Sequence, residues 1–169
     1  GMKNATSNMT FGQFSEAFFI LLIPLFFRWL GVKWMIALGM IAWSIRFLFF
    51  GYGDAGPNLW MLFAGIILHG VCFDFFFVTG QIYTDSKAGL RIQSQAQGMI
   101  TMATYGIGMW IGTLLSGYVK DYYTVNEIVN WRSVWMVPAG IAAVVLVLFI
   151  LFFKDNKRTA AHAEQMAMV

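Results

Sequence analysis

LWMLFAGIILHGVCFDFFFVTGQIYT, residues 59–84, is the stretch of sequence that decides the fold. It is longer than the roughly 20 residues with which an α-helix crosses a bilayer, and Asp74 is its one residue with a formal charge. Polar and apolar residues do not alternate strictly along it, as they would in a half-buried strand, and an open sheet edge is not viable in lipid. The stretch therefore predicts a transmembrane α-helix.

Four more apolar stretches of similar length share these properties, at residues 9–29, 33–53, 93–119 and 132–153. Short segments with glycine, proline or charged residues separate them, so consecutive helices are expected to run antiparallel. Overall, 59% of the residues are hydrophobic and 11% are charged, whereas about 25% are charged in a typical soluble domain. The sequence predicts an all-α integral membrane bundle of five transmembrane helices over residues 9–155, with a polar leader at 1–8 and a cytoplasmic tail at 156–169.

The distribution of lysine and arginine predicts the orientation, because cytoplasmic loops are enriched in both. One end of the predicted bundle carries Arg28, Lys33, Lys87, Arg91, Lys154, Lys157 and Arg158, and the other carries Lys3, Lys120 and Arg132. The C-terminus is therefore expected in the cytoplasm, and an odd number of helices leaves the N-terminus outside. Since no signal peptide is visible that would carry the N-terminus across, we expect a fragment of a longer protein.

Other functional classes find little support in the sequence. The net charge of +3 is modest, and the cationic residues form no run with interleaved aromatic residues, so no nucleic-acid partner is predicted. No zinc-ligand spacing, phosphate-binding glycine loop or Ser/His/Asp set is visible, so no metal, no cofactor and no enzymatic activity is predicted. Gly51-Tyr52-Gly53-Asp54 matches the GxGD string of intramembrane aspartyl proteases, but Asp54 falls at a predicted helix end and no aspartate precedes it.

Three ionisable residues, Glu16, Arg46 and Asp74, are candidates for function, because a charged group at the centre of a bilayer costs about 2.5 to 3.5 kcal/mol. Helix rise places Glu16 and Arg46 at similar depths, about 10 Å from the outer surface, where they could pair. An ion pair that serves only assembly is the alternative. Asp74 lies deeper, at about 22 Å, where the sequence offers no partner of equal depth.

Amide and aromatic groups flank the two carboxylates. Gln13 and Glu16, three residues apart, share one helix face and form a polar patch able to bind a hydroxyl or an amide. Asp74 lies in FDFFF, residues 73–77, whose rings could stack on a planar base; a satisfied helix-helix contact is the alternative. His69 is interpreted as a hydrogen-bonded core residue, because it lies off the helix face of Asp74.

Two further patterns concern packing. Asp74, Gln81 and Asp85 recur at helical spacing and predict a polar, water-lined stripe along their helix. Gly108 and Gly112 stand at GxxxG spacing, which permits close backbone contact with another helix and is a packing signal of low specificity.

Four strings, in this order along the chain, resemble the bacterial nucleoside:proton symporter family of the major facilitator superfamily: GQFSE at residues 12–16, AWSIRF at 42–47, GVCFDFF at 70–76 and SQAQGM at 94–99. The resemblance covers nearly the whole chain and implies that it corresponds to helices eight to twelve of a twelve-helix carrier in the bacterial inner membrane. It also implies a nucleoside and protons as substrates, a lipid bilayer as surroundings, and the preceding helices of the carrier as partners.

The resemblance implies roles for individual residues as well. Gln13, Glu16, Phe73 and Asp74 are expected to bind the nucleoside, Glu16 or Asp74 to carry the coupled proton, and Arg46 to have a structural or ion-pairing role. Because carriers of this kind rock two repeats about a central site, the chain alone is not expected to transport. A carrier for a sugar or nucleobase, and a short membrane protein that assists assembly without transport, are the alternatives.

Overall fold

Helices account for nearly all of the chain in the computed structural model, which describes residues 5–154. The α-helices are α1 (Ala5–Tyr52), α2 (Leu59–Phe73), α3 (Thr79–Ala88), α4 (Gln93–Thr101), α5 (Met109–Tyr122) and α6 (Trp131–Phe152). A π-helical turn at Asp74–Val78 joins α2 to α3, and a second at Met102–Gly108 joins α4 to α5. Two short antiparallel strands, β1 (Thr124–Val125) and β2 (Ile128–Val129), lie between α5 and α6. The predicted all-α class is confirmed.

Within the described residues, four helical segments are long and apolar enough to cross a membrane: Ser7–Tyr52, Leu59–Ala88, Gln93–Tyr122 and Trp131–Phe152. The last three match predicted stretches to within about one helical turn. The first covers two predicted stretches, and its helix begins at Ala5, inside the predicted leader. The predicted tail, 156–169, lies outside the described residues.

The helix α1 is a hairpin of two helices rather than one straight rod. Gly31 interrupts it with φ 66° and ψ 175°, a conformation essentially confined to glycine. Glu16 and Arg46 both lie within 4 Å of the His69 ring, at 3.9 Å and 3.0 Å, whereas in a straight helix they would be roughly 45 Å apart. The chain therefore reverses at Gly31. We call residues 5–30 the first arm and residues 32–52 the second arm, and counting them separately gives the five spans that the sequence predicts.

The hydrophobic core lies where the two arms meet the first π-helical turn. Its buried members are Ile23, Phe27, Val32, Met35, Ile36, Met40 and Phe75. Gly39 allows this contact, because a Cβ atom there would lie 2.8 Å from the backbone nitrogen of Phe76. Close van der Waals packing of this kind is what holds helices together in lipid, and it fixes the second arm against the middle of the α2–α3 span.

Contacts near the helix ends agree with the predicted grouping of cationic residues. Lys33 Nζ donates to the backbone carbonyl of Ile150 at 2.8 Å, one helical turn before Lys154. The Arg132 guanidinium carbon lies 4.3 Å from the ring centroid of Tyr52, at the far end of the second arm. Lys33 and Lys154 therefore share one end of the bundle, and Arg132 lies at the other.

The α4–α5 span is the most loosely packed part of the described chain. None of its residues, Gln93–Tyr122, is buried against other described residues. A Cβ atom at Gly112 would have no described atom within 4 Å outside its own helix backbone. The close contact that the GxxxG spacing permits is not made at Gly112 within residues 5–154. The glycines that do allow close contact between helices include Gly12, Gly39 and Gly70.

Candidate functional site

Three ionisable side chains meet between the two arms and α2, and we call them the polar triad: Glu16, His69 and Arg46. Glu16 comes from the first arm, Arg46 from the second arm and His69 from α2. Arg46 Nη1 lies 3.0 Å from His69 Nδ1, and His69 Nε2 lies 3.9 Å from Glu16 Oε2. By their depths in the sequence, Glu16 and Arg46 could pair directly; the structure places His69 between them.

His69 is the candidate that the sequence reasoning misses. It is hydrogen-bonded, as the sequence analysis interprets it, but its partners are not predicted. The position of His69 relative to the helix face of Asp74 gives no information about residues on other helices. Counting helix rise from Leu59 places His69 at a depth of about 15 Å. That depth is close to the one estimated for Glu16 and Arg46, so depth was the signal that could have grouped the three residues.

Small residues bring the first arm close enough to α2 to form the triad. A Cβ atom at Gly70 would lie 2.5 Å from the backbone carbon of Ser15 and 2.6 Å from the backbone nitrogen of Glu16. Ser15 Oγ donates to the backbone carbonyl of Ile67 at 2.5 Å. A Cβ atom at Gly12 would lie 3.1 Å from the carbonyl oxygen of Ile66. The two helices thus touch by their backbones, and this contact sets the position of Glu16.

The Arg46 guanidinium is held among aromatic rings. Its central carbon lies 5.3 Å from the ring centroid of Trp43 and 5.2 Å from that of Phe50, within the range of cation–π attraction. Its Nη1 atom reaches His69, while its Nε atom is buried with no hydrogen-bond partner in the described part of the chain. The rings therefore offset part of the cost of burying this charge.

Asp74 lies at the start of the first π-helical turn and is fully buried. Neither of its carboxylate oxygens has a hydrogen-bond partner among residues 5–154. Thr79 Oγ1 donates to its backbone carbonyl at 3.3 Å, not to its side chain. A buried carboxylate without a partner is among the costliest groups in a protein. No contact among residues 5–154 compensates this cost, so Asp74 is a candidate for a functional role.

Phe73 belongs to a row of rings that leads away from the polar triad. The rings of His69 and Phe73 lie 6.0 Å apart, those of Phe73 and Phe77 lie 5.3 Å apart, and Phe77 is 5.8 Å from Tyr105 of the second π-helical turn. The row connects α2 with the α4–α5 span. Phe73 is half-buried in this row.

Two clefts adjoin the polar triad. The larger has a volume of about 460 Å³ and is lined by Met9, Gly12, Gln13, Arg46, Phe50, Leu62, Ile66, His69 and Trp135. The other, which we call the open cleft, has a volume of about 340 Å³ and is lined by Gln13, Glu16, Ala17 and Ile20. Gln13 therefore borders both. The linings of these clefts include Gln13, Glu16 and Arg46, but not Phe73 or Asp74, so the predicted site residues are brought together only in part.

The predicted polar stripe is interrupted in the structure. The π-helical turn Asp74–Val78 adds a residue to the helical period, so α-helical spacing no longer relates Asp74 to Gln81 and Asp85. Gln97 Nε2 of α4 donates to the backbone carbonyl of Gln81 at 2.8 Å and to Asp85 Oδ1 at 2.7 Å. These two residues serve a contact between α3 and α4.

The described residues hold no cluster of possible metal ligands, and the aspartate of the GxGD string lies outside the apolar spans. Residues 5–154 contain no group of three His, Cys, Asp or Glu side chains able to hold a metal ion. Asp54 lies exposed in the link between α1 and α2, where its Oδ1 atom accepts from the backbone nitrogen of Gly56 at 2.6 Å. That hydrogen bond, with further ones from Asn58, holds the pKa of the Asp54 carboxyl below its usual value. The GxGD string thus ends where α1 ends, and Asp54 accepts hydrogen bonds from the turn that follows.

A bundle of apolar helices with ionisable side chains between them defines a class, the multi-pass helical membrane proteins with a polar interior. Ionisable residues in such positions are typical of ion-coupled carriers. The sequence profile of the family described as Nucleoside H+ symporter matches residues 1–158. The chain belongs to this family.

Similar proteins are transporters and permeases by name. YegT of Escherichia coli is 42% identical over 95% of this chain and 40% of its own length. The xanthosine permease of the same organism is 36% identical over 88% of this chain and 36% of its own length. The crystal structure of the nucleoside transporter NupG is 37% identical, with a TM-score of 0.83, over 90% of this chain and 38% of that one. The chain spans about two fifths of the length of these relatives.

Proposed function

We propose that this chain is part of a proton-coupled nucleoside transporter that works by alternating access in the bacterial inner membrane. The observation that carries the proposal is the buried carboxylate of Asp74, which has no hydrogen-bond partner within residues 5–154, in a member of the Nucleoside H+ symporter family. Such a group is retained in a membrane protein where ions or protons pass. The names of two E. coli relatives, a xanthosine permease and a nucleoside permease, support nucleosides as the substrates.

The nucleoside site is proposed to use Gln13, Glu16, Phe73 and Asp74. Gln13 is exposed and Glu16 half-buried at the wall of an open cleft. Their amide and carboxylate groups suit the hydroxyls of a ribose, because each oxygen accepts a hydrogen bond and the amide also donates. Phe73 offers a ring for stacking on the nucleobase. Asp74 adjoins Phe73 in the chain but is buried, so it acts on a bound nucleoside only after a change of packing.

Asp74 is the better candidate of the two carboxylates for the coupled proton. Glu16 lies near His69 and is one-third exposed, so its charge is partly compensated. Asp74 has neither solvent nor a hydrogen-bond partner within residues 5–154. Taking up a proton removes the charge that this environment does not compensate, which links protonation of Asp74 to the packing around it. Arg46 is assigned a structural role as the partner of His69.

The transporter is proposed to need more helices than this chain contains. Its longer relatives suggest that the chain packs against further helices, and carriers bind substrate between two repeats that rock against each other. The end of the bundle with Lys33 and Lys154 is proposed to face the cytoplasm, because cytoplasmic segments are enriched in Lys and Arg. No enzymatic activity is proposed.

The test is uptake of labelled uridine by E. coli cells that lack their own nucleoside permeases. The cells express this chain alone, or a chimera in which this chain replaces the matching segment of NupG. We expect accumulation from the chimera, abolished by a protonophore, and none from the chain alone. NupG without the matching segment is the matched control.

Competition separates nucleosides from related solutes. Unlabelled uridine should suppress the signal from the chimera, whereas free ribose and free uracil should not. Inhibition by ribose or uracil as strong as by uridine would point to a sugar or nucleobase carrier. A chimera that reaches the membrane without any uptake would remove the nucleoside proposal.

A further inference from the structure

The His69 ring presents one nitrogen to each arm of α1. Its Nδ1 atom is 3.0 Å from Nη1 of Arg46 on the second arm, and its Nε2 atom is 3.9 Å from Oε2 of Glu16 on the first arm. Both neighbours are on the hairpin that reverses at Gly31, while His69 belongs to α2. The imidazole therefore joins three helices at a single point.

The partner of Nδ1 determines where the ring carries its proton. A guanidinium has N–H donors and no acceptor. At 3.0 Å from Arg46, Nδ1 must accept, so the neutral ring carries its proton on Nε2, the nitrogen that faces Glu16. The hydrogen-bond geometry of Arg46 thereby fixes which atom is presented to the carboxylate.

We propose that His69 is a positioning residue of the nucleoside site: Arg46 fixes its Nε2–H tautomer, and that N–H orients the Glu16 carboxylate toward the open cleft. What the cleft binds rests on the proposed function. The positioning role is inferred from the lining of the two clefts: Glu16 lines the open cleft, and His69 and Arg46 line the larger one. Gln13 borders both.

The distance between His69 and Glu16 is suited to orienting the Glu16 carboxylate and is too long for a direct hydrogen bond. At 3.9 Å, Nε2 and Oε2 are further apart than a direct hydrogen bond allows. Glu16 therefore keeps its oxygens available to a ligand hydroxyl while the N–H favours one direction of the carboxylate. The same imidazole lies 6.0 Å from the Phe73 ring, so His69 also adjoins the residue proposed to stack on the base.

The first test determines the tautomer of His69 without a transport assay. The chain has two histidines, so His162→Gln leaves His69 as the one labelled site. The full chain, with 15N-histidine, is placed in lipid nanodiscs and its ring nitrogens are observed by NMR. We expect a protonated Nε2 and an unprotonated Nδ1. Glu16→Gln should leave this pattern unchanged, and Arg46→Met should give a mixture of both tautomers. A protonated Nδ1 in the chain with intact Arg46 overturns the proposal.

The second test reads the effect on substrate in the NupG chimera. His69→Leu removes both ring nitrogens, so that Glu16 loses the N–H that favours one direction of its carboxylate. The KM for uridine should then rise about tenfold, with little change in the maximal rate. His69→Gln keeps an acceptor for Arg46 and a donor for Glu16, and should keep the KM within about threefold of the parent chimera.

The outcomes separate this proposal from the proposed function. An unchanged KM in His69→Leu overturns the positioning role while leaving transport intact. Equal losses in His69→Leu and His69→Gln also overturn it, because they indicate a requirement for the imidazole itself. Absence of uptake from the parent chimera, with the Nε2–H tautomer observed, overturns the role in substrate binding and supports only the geometry of Arg46 and His69.

Discussion

Glycine at position 70 determines how closely the first arm approaches α2. A Cβ atom there would meet the backbone of Ser15 and Glu16 at 2.5 and 2.6 Å, and backbone atoms cannot move aside as a flexible side chain would. We expect Gly70→Ala to lower the free energy of unfolding by roughly 1–3 kcal/mol, the usual range for overpacking, and to displace Glu16 from His69.

The measurement is reversible unfolding of the full chain in bicelles, compared with Gly98→Ala. Gly98 also lies within a helix, and a Cβ atom there would have no described atom within 4 Å outside its own helix backbone, so its replacement should be neutral. Equal stability of the two variants would contradict the close contact.

At the residue scale, the sequence identifies candidate functional residues only where an ionisable side chain lies within a predicted membrane span, because burying a charge in lipid is costly. Glu16, Arg46 and Asp74 stand out for that reason alone. The role of Gly70 did not stand out, because the sequence does not say which helix faces meet, and the more conspicuous pair Gly108 and Gly112 lies on a span without buried residues. Whether Gln13, Glu16, Phe73 and Asp74 bind a nucleoside stays a prediction.

At the scale of elements, the reversal at Gly31 turns one long helical segment into two spans. Its φ of 66° and ψ of 175° lie in a region that other residues avoid. A Cβ atom there would have no atom of residues 5–154 within 4 Å, so the expected penalty for replacement is conformational and not steric. We expect Gly31→Ala to lower the free energy of unfolding by about 1–3 kcal/mol. The same bicelle assay measures it.

The matched control for Gly31 is Gly80→Ala in α3. Gly80 has open space around its Cβ position as well, but its backbone is helical, so alanine should be tolerated there or slightly stabilising. A Gly31→Ala variant as stable as Gly80→Ala would argue that the hairpin does not require this glycine.

Helix positions were well predicted and their internal irregularities were not. Length and hydropathy place α6 and the two π-containing spans to within about one turn, because the thickness of the bilayer sets the length that a span needs. The π-helical turn at Asp74–Val78 packs closely against Gly39 of the second arm, which contacts the backbone of Phe76. No local sequence pattern predicts this turn. This turn also explains why the predicted stripe from Asp74 to Asp85 is interrupted.

At the scale of the whole molecule, the predicted site is divided. Gln13 and Glu16 line an open cleft, whereas Asp74 is buried and Phe73 lies in a row of rings that reaches the α4–α5 span. The chain spans about two fifths of its relatives, and the α4–α5 span has no buried residue in the described chain. Both facts fit a bundle that completes its site against further helices, as the proposed function requires.

The measurement that tests the central claim most directly is proton entry evoked by uridine. The NupG chimera is reconstituted into liposomes that contain a pH-sensitive dye, and uridine is added outside. We expect the lumen to acidify with uridine but not with ribose or uracil. Asp74→Asn should abolish acidification while exchange of labelled uridine continues at a higher KM, because the amide keeps a hydrogen-bond acceptor for the nucleoside but takes up no proton. Uridine entry without acidification by the parent chimera, or full acidification by Asp74→Asn, would contradict the account.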